Sequence, residues 1–163
     1  MGRYIIMSNT NEYSVLTTEG NNEKSKNIDK MSALEIATLI NSEDKTVPYA
    51  VEKALPEIAQ VIDICAAAIK NGGRIFYVGA GTSGRLGVLD ASECPPTYGT
   101  SPEIVQGIIA GGREAAFRAI EKAEDDTNSV IIQLKEGNFC EKDVCIGLSA
   151  SGSAPCVKGA LQY

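Results

Sequence analysis

The chain has 163 residues, enough for one ordinary domain, and its aromatic content of 6% points to a core of aliphatic side chains. Its net charge of −6 argues against nucleic acid or an anionic membrane as a partner, since both repel an acidic protein. No apolar run approaches the roughly 20 residues that a membrane span requires.

Cysteine and histidine usage limits the chemistry available to the chain. The five cysteines are an odd number and form no CxxC pair of the kind that binds zinc. This pattern favours reduced thiols in the cytoplasm. The chain has no histidine, which removes the commonest general base and metal ligand. An acid–base step would therefore use Glu, Asp, Lys, Tyr or Cys.

Residues 1–30 predict a flexible N-terminal arm, because they are polar from residue 8 onward and show little periodicity. We expect the ordered domain to occupy residues 31–163. Two helices are predicted at its start. Ser32 with Glu35 matches a capping box and predicts a helix from Ser32 to about residue 41. A second helical pattern covers residues 47–71, and the proline at position 56 should kink or divide it.

Three short apolar runs predict strands: Arg74–Val78, Ile104–Ile109 and Asp143–Leu148. Helices are predicted over Ser83–Ser92, over Glu114–Glu124 and from Pro155 onward, and Cys94-Pro-Pro96 should end the first of them. Residues 128–134 favour a helix, although Val130–Ile132 also fits a strand. Alternating strands and helices indicate an α/β fold with a parallel sheet. Because three strands are few for such a sheet, we expect the chain to be the front part of a longer domain.

Two turns of small residues follow predicted strands. In Gly79-Ala-Gly-Thr-Ser-Gly84 the glycines allow close approach, and the helix N-terminus presents free N–H groups and partial positive charge to an anion. The second turn, Ser149-Ala-Ser-Gly-Ser153, offers several hydroxyls after another strand. Both turns would lie at the carboxyl ends of parallel strands, where ligands bind. Together they favour a single phosphate, although each turn alone could be only a tight connection.

Two other glycine motifs fit less well. A dinucleotide site needs an acidic residue at the end of the next strand, but Glu103 precedes the strand that begins near Ile104. A P-loop needs Lys followed by Ser or Thr after its last glycine, whereas Arg85 follows Gly84.

Carboxylates near the first turn are candidate acid–base groups. Glu93 follows the predicted short helix closely, although a glutamate there could be an ordinary surface residue. Glu124 belongs to an acidic cluster at the predicted end of another helix. Acidic residues at a helix C-terminus oppose the helix dipole, which is a hint of function or simply a solvated end.

The run Gly79-Ala-Gly-Thr-Ser-Gly-Arg-Leu-Gly-Val-Leu-Asp-Ala-Ser-Glu-Cys-Pro-Pro-Thr97 resembles the N-acetylmuramic acid 6-phosphate etherase family and its relative, the glucokinase regulatory protein. Further similar segments are Ile40–Pro48, Ile109–Gly112, Ala123–Asp126 and Ser149–Gly152. The resemblance implies a sugar isomerase (SIS) domain, which is a flavodoxin-like parallel sheet flanked by helices. It also implies cleavage of the lactyl ether of N-acetylmuramic acid 6-phosphate in the bacterial cytoplasm, by a homodimer without a metal or redox cofactor.

The resemblance also assigns roles to residues. It places the two functional glutamates at Glu93, expected to be the general acid, and Glu124, expected to be the base, with these roles open to exchange. It implies that the substrate phosphate is held by Gly81, Thr82, Ser83, Ser149, Ser151 and Ser153. Ser153-Ala154 departs from the family pattern, in which a bulkier residue and Thr are usual. Two alternatives stay open: a sugar-phosphate-binding regulator without catalysis, and an inactive piece of the etherase, since family members continue past Tyr163.

Overall fold

The computed structural model of the chain describes Thr18 and residues 20–163. The described residues fall into two compact units, one ending at Ile62 and the other beginning at Asp63. The predicted arm over residues 1–30 lies largely outside the described residues, so its flexibility and boundary stay predictions. Within the described residues, no helix is both long and apolar enough to cross a membrane.

A capped helix dominates the first unit, after two short 3₁₀ turns at Glu23–Ser25 and Ile28–Lys30. Helix α1 spans Ala33–Asp44. The Ser32 hydroxyl accepts from the Glu35 N–H at 3.3 Å, and the Glu35 carboxylate accepts from the Ser32 N–H at 2.7 Å. These reciprocal bonds confirm the predicted capping box, because each satisfies a donor that has no partner inside the helix.

The second helical pattern is divided, as the proline predicted. Helix α2 spans Val47–Glu52 and helix α3 spans Leu55–Lys70, so the break falls just before Pro56. Pro56 occupies the first turn of α3, where a backbone N–H has no intrahelical acceptor and its loss costs little.

The second unit contains the predicted parallel sheet. Strand β1 spans Ile75–Gly79, β2 spans Val105–Ile109 and β3 spans Val144–Leu148. The strand order is β2-β1-β3, with both pairs parallel, so β1 is central. Gly79 aligns with Ile109 and with Leu148, which brings the carboxyl ends of all three strands to one edge of the sheet. The α/β fold with a parallel sheet is therefore confirmed.

The helix after β1 is much longer than predicted. Helix α4 spans Gly81–Tyr98 and contains Pro95 and Pro96, so the prediction that these prolines end it was wrong. A proline removes one N–H but has a φ close to the helical value, so a packed helix can continue through it. The helix ends instead at Tyr98, where the capping residue Gly99 has a left-handed φ of 67° and its N–H donates to the Pro95 carbonyl at 2.8 Å.

The helix predicted over Glu114–Glu124 is absent from the described structure. Two 3₁₀ turns stand there, Arg113–Ala116 and Ala123–Asp125, and Lys122 has a left-handed φ of 61° that interrupts any helix between them. Three apolar side chains of this segment surround one glycine, Gly111, instead of forming a helical stripe; they are Ala115, Ile120 and Ala123. Their spacing suggested a helix, but packing at the end of β2 decided the conformation.

Two further helices complete the second unit. Helix α5 spans Thr127–Glu136, which decides the choice between helix and strand in favour of a helix. The Asp126 side chain caps it by accepting from the Asn128 and Ser129 N–H groups at 2.9 and 3.2 Å. Helix α6 spans Pro155–Gln162 and begins at its proline, as predicted.

Side chains alternate between the two faces of the sheet along each strand. Apolar clusters cover both of these faces. On one face, Phe76 and Val78 of β1 are fully buried in a cluster with Val130 and Leu134 of α5 and Cys156 of α6. The opposite face carries a smaller cluster of Ile75, Ala91 and Val105, with Cys65 and Tyr77 packed against it. These residues place α4 and the part of α3 that begins at Asp63 on the second face.

An ion pair joins the starts of the two neighbouring strands β1 and β3. The Asp143 carboxylate accepts from the Arg74 N–H at 2.8 Å, from Arg74 Nη2 at 2.7 Å and from the Cys140 N–H at 3.0 Å. Arg74 also donates to the carbonyls of Gly137 and Asn138 at 2.8 Å each. Only 1% of the Asp143 side chain is exposed. Burying this charge would be costly without the hydrogen bonds and the ion pair that Arg74 and the Cys140 N–H supply.

Candidate functional site

The turn after β1 brings a helix N-terminus to the carboxyl end of the central strand. Ala80 is extended at the N-cap, and Gly81 follows with a left-handed φ of 54°. A Cβ built on Gly84 would lie 2.7 Å from the Gly79 carbonyl oxygen, so this close approach requires glycine. Alanine at the N-cap has no side-chain acceptor for the first N–H groups of α4. An anionic ligand would satisfy them and would meet the positive end of the helix dipole.

Thr82 and Ser83 lie in the first turn of α4, with Thr82 exposed and Ser83 half-buried. Their position at the helix start agrees with the predicted anion turn. Neither of them lines the cavity at this end of the sheet. Their predicted contact with a phosphate stays a prediction.

The serine-rich turn follows β3, directly beside the central strand. The Ser149 hydroxyl accepts from the Gly152 N–H at 3.0 Å, and the Ser151 hydroxyl accepts from the Ser153 N–H at 3.1 Å. The Ser151 and Ser153 hydroxyl oxygens are 2.5 Å apart. Because neighbouring strands are about 4.8 Å apart, this turn and the glycine turn share one edge of the sheet.

A cavity of about 260 Å³ opens at the carboxyl ends of β1 and β2. Alanine side chains and Ile120 form its apolar wall, and Gly81 contributes backbone. Its charged lining residues are Arg85, Lys122, Glu124 and Asp125. An apolar wall with a few charged groups at strand ends is the usual composition of a small-molecule site.

Glu124 lines this cavity together with Gly81, so the structure brings these two predicted site residues together. Glu124 is carried by the 3₁₀ turn Ala123–Asp125, directly after left-handed Lys122. The acidic cluster does not end a helix in the described segment 113–126, so the predicted conflict with a helix dipole does not arise there. The last acid of the cluster, Asp126, instead caps the N-terminus of α5, where negative charge is favourable.

Glu93 lies far from the cavity along α4. It is exposed and stands twelve residues beyond Gly81 in one continuous helix, which is about 18 Å at 1.5 Å per residue. Nearby Ala91 packs against Ile75 and Val105, the first residues of β1 and β2. The cavity lies at the last residues of the same strands. One chain thus places Glu93 toward the opposite ends of these strands from the cavity, and its role in catalysis stays a prediction.

Sequence reasoning missed Arg85 as a site residue. Its Nε donates to the Ala116 carbonyl at 3.3 Å, and its Nη2 donates to the Arg118 carbonyl at 3.1 Å. These bonds tie the cavity-lining segment to α4. The signal was present, because Arg85 stands four residues after Gly81 and so faces the same side of the helix. Lys122 carried no comparable signal, since its place depends on the left-handed turn.

A parallel α/β sheet with helices on both faces and a glycine turn at its carboxyl edge defines an α/β domain of the doubly wound type. Residues 57–163 match the family model described as the glucokinase regulatory protein N-terminal SIS domain. The chain belongs to this family, and the match confirms the SIS-type fold that the resemblance implied.

The chain is also similar to several proteins named N-acetylmuramic acid 6-phosphate etherase. It is 61% identical to one from Clostridium beijerinckii over 91% of the chain and 49% of that relative. It is 58% identical to one from Actinobacillus pleuropneumoniae over 92% of the chain and 49% of the relative, and 52% identical to one from Histophilus somni over 94% and 50%. The chain thus spans about half the length of the curated relatives it matches.

Proposed function

We propose that the chain serves as an etherase that cleaves N-acetylmuramic acid 6-phosphate into N-acetylglucosamine 6-phosphate and D-lactate. The supporting observation is a cavity shared by Glu124 and the glycine turn in a chain 61% identical to a protein of that name. Such an enzyme is a carbon–oxygen lyase that needs no cofactor and acts in the cytoplasm, where it recycles cell-wall sugars.

The proposed chemistry uses carboxyl groups alone, which suits a chain without histidine. In the open-chain sugar, the C1 aldehyde acidifies the proton on C2, and Glu124 removes this proton. The electron pair of the C2–H bond forms a C2=C3 double bond, while the C3–O bond breaks and the departing lactate takes a proton from Glu93. Water then adds its oxygen at C3, and a proton returns to C2. Exchanging the two glutamates gives the same balance, and which one acts as base stays open.

We propose that the phosphate binds at the shared edge of the two turns. The first N–H groups of α4, with the Thr82 and Ser83 hydroxyls, would hold one side. The hydroxyls of Ser149, Ser151 and Ser153 would hold the other. They now bond within their own turn, so binding requires them to exchange these bonds for the phosphate oxygens.

The separation of Glu93 from the cavity supports a homodimer with a composite site. Within one chain, Glu93 lies near the starts of the strands and Glu124 lies near their ends. A proton-transfer group must reach within hydrogen-bonding distance of its substrate atom. We therefore propose that Glu93 of one copy serves the cavity of a second copy.

The first experiment measures free D-lactate released from N-acetylmuramic acid 6-phosphate. We would test the chain itself and a version extended past Tyr163 with the remaining half of the Clostridium beijerinckii relative. Glu93→Gln and Glu124→Gln should each abolish release, while Glu136→Gln, at the exposed end of α5, should leave it unchanged. If the extended protein folds and binds the sugar phosphate without releasing lactate, it is a regulator, the alternative suggested by the name of the matching family model. If only the extended protein releases lactate, the 163-residue chain is an inactive piece of the etherase.

A mixing experiment tests the composite site. In a symmetric dimer, an equal mixture of Glu93→Gln and Glu124→Gln chains forms heterodimers in which one of the two sites is intact. Random pairing should restore about one quarter of the unmodified activity. If both glutamates act within one chain, the mixture stays inactive and the composite site is refuted.

A further inference from the structure

The cavity contains two cations whose charge is not offset by an ion pair. Arg85 and Lys122 both line it, and neither forms a salt bridge with any residue in the described part of the chain. Glu124 and Asp125 stand on the same wall. An anion entering the cavity would be repelled by these two acids unless the cations lay against it.

Arg85 has donors to spare in a fixed orientation. A guanidinium carries five N–H donors, and two hydrogen bonds to the carbonyls of Ala116 and Arg118 hold this one in place. The remaining donors keep the planar geometry that binds a carboxylate through two parallel bonds. The side chain is half-buried, so less of its charge is screened than at an open surface.

Lys122 reaches the cavity because of its backbone. Its φ of 61° is uncommon for a residue other than glycine, and it directs the chain into the turn that carries Glu124. Left-handed non-glycine residues persist where the surrounding structure determines them, and they are frequent at binding sites. Lys122 therefore adds a second cationic residue to the cavity lining that contains Arg85.

We propose that Arg85 and Lys122 form a carboxylate-recognition pair, which selects a sugar phosphate that carries a carboxylate over one that does not. This inference rests on the proposed function, whose substrate has two anionic groups and whose sugar product keeps only the phosphate. The two turns bind the phosphate, and the two cations bind the carboxylate of the lactyl group. The pair thereby makes the site prefer substrate to sugar product and offsets the repulsion between the lactyl carboxylate and Glu124.

The test measures equilibrium binding of two ligands that differ only in the lactyl group. Dissociation constants for N-acetylmuramic acid 6-phosphate and N-acetylglucosamine 6-phosphate are measured by calorimetry, in a Glu124→Gln background that prevents turnover during the titration. Arg85→Gln and Lys122→Gln are compared with Arg113→Gln, which removes an exposed cation outside the cavity. Arg85→Lys keeps the charge but loses the planar fork.

We expect Arg85→Gln to weaken binding of the muramic acid phosphate about ten- to a hundredfold, the range for hydrogen bonds to charged groups. Lys122→Gln should weaken it several-fold, and both variants should leave the glucosamine phosphate within about twofold of its original value. Arg85→Lys should fall between Arg85→Gln and the unmodified residue, and Arg113→Gln should change neither ligand.

Each contrary outcome overturns the inference. Equal binding of the two ligands by the Glu124→Gln protein with Arg85 and Lys122 intact would remove the selectivity itself. Equal weakening of both ligands by Arg85→Gln would show that Arg85 only supports the fold of the cavity wall. No binding of either ligand also counts against the pair. The lactate assay reports failure of the proposed function separately, because the protein with Glu124 intact would then release no lactate.

Discussion

Replacing Asp143 tests how strongly the ion pair at the strand starts stabilises the second unit. Asp143→Asn keeps the side-chain shape but puts an NH₂ group where one carboxylate oxygen accepts hydrogen bonds. Removing one partner of a buried ion pair costs about 3–5 kcal/mol. Arg74 would keep its bonds to two backbone carbonyls, and 23% of its side chain is exposed. We therefore expect a loss near the lower limit, about 3 kcal/mol.

The same substitution should change the pH dependence of stability. Burial raises the pKa of Asp143, but hydrogen bonds from Arg74 and the Cys140 N–H lower it by more, so the folded pKa is below its usual value. The folded state thus favours the ionised carboxylate. Its contribution is fully present above the unfolded pKa of about 3.9 and is lost as the pH falls through the lower folded pKa.

Urea unfolding followed by circular dichroism measures both effects, at pH 7 and at steps from pH 5 to pH 2. Asp143→Asn should lose about 3 kcal/mol at pH 7 and should show a shallower decline in stability across the acid range. Glu141→Gln, an exposed acid two residues away, should match the parent. The reasoning is refuted if Asp143→Asn stays within 1 kcal/mol of the parent at pH 7 or keeps its acid slope.

Three further predictions concern other parts of the second unit. Gly84→Ala should lower the free energy of unfolding by about 1–3 kcal/mol, because its Cβ would stand 2.7 Å from the Gly79 carbonyl oxygen; an unchanged urea midpoint would contradict this. Lys122→Gly should raise the free energy of unfolding by up to about 1 kcal/mol, because glycine adopts the left-handed backbone more easily, at some cost in unfolded-state entropy. A lower free energy of unfolding in the same urea titration would contradict this. Iodoacetamide should label exposed Cys140 well before Cys145, because burial raises the pKa of the Cys145 thiol to about 11. Mass spectrometry of the labelled native protein measures the order, and faster labelling of Cys145 would contradict the prediction.

Local interactions determined much of the architecture, which is why the sequence predicted it. The capping box of Ser32 and Glu35 lies within one helical turn, and Pro56 changes the backbone at its own position. The parallel sheet followed from apolar runs separated by helix-length segments. The glycine turn followed from the small residues that a close strand-to-helix connection requires. The comparisons then confirmed the SIS-type fold that the resemblance had implied.

Tertiary packing decided what local rules could not. Helix α4 continues through Pro95 and Pro96. Its Ala91 packs against Ile75 and Val105 at the starts of two strands, so nearby Glu93 lies toward that end of the sheet. The segment after Gly111 packs its apolar side chains against that glycine, just beyond the end of β2, and so brings Glu124 to the cavity. Both outcomes depend on contacts between residues distant in sequence, and periodicity within a single segment contains no information about such contacts. Sequence alone thus identified Glu93 and Glu124 as candidates, and only the tertiary structure showed that one chain keeps them apart.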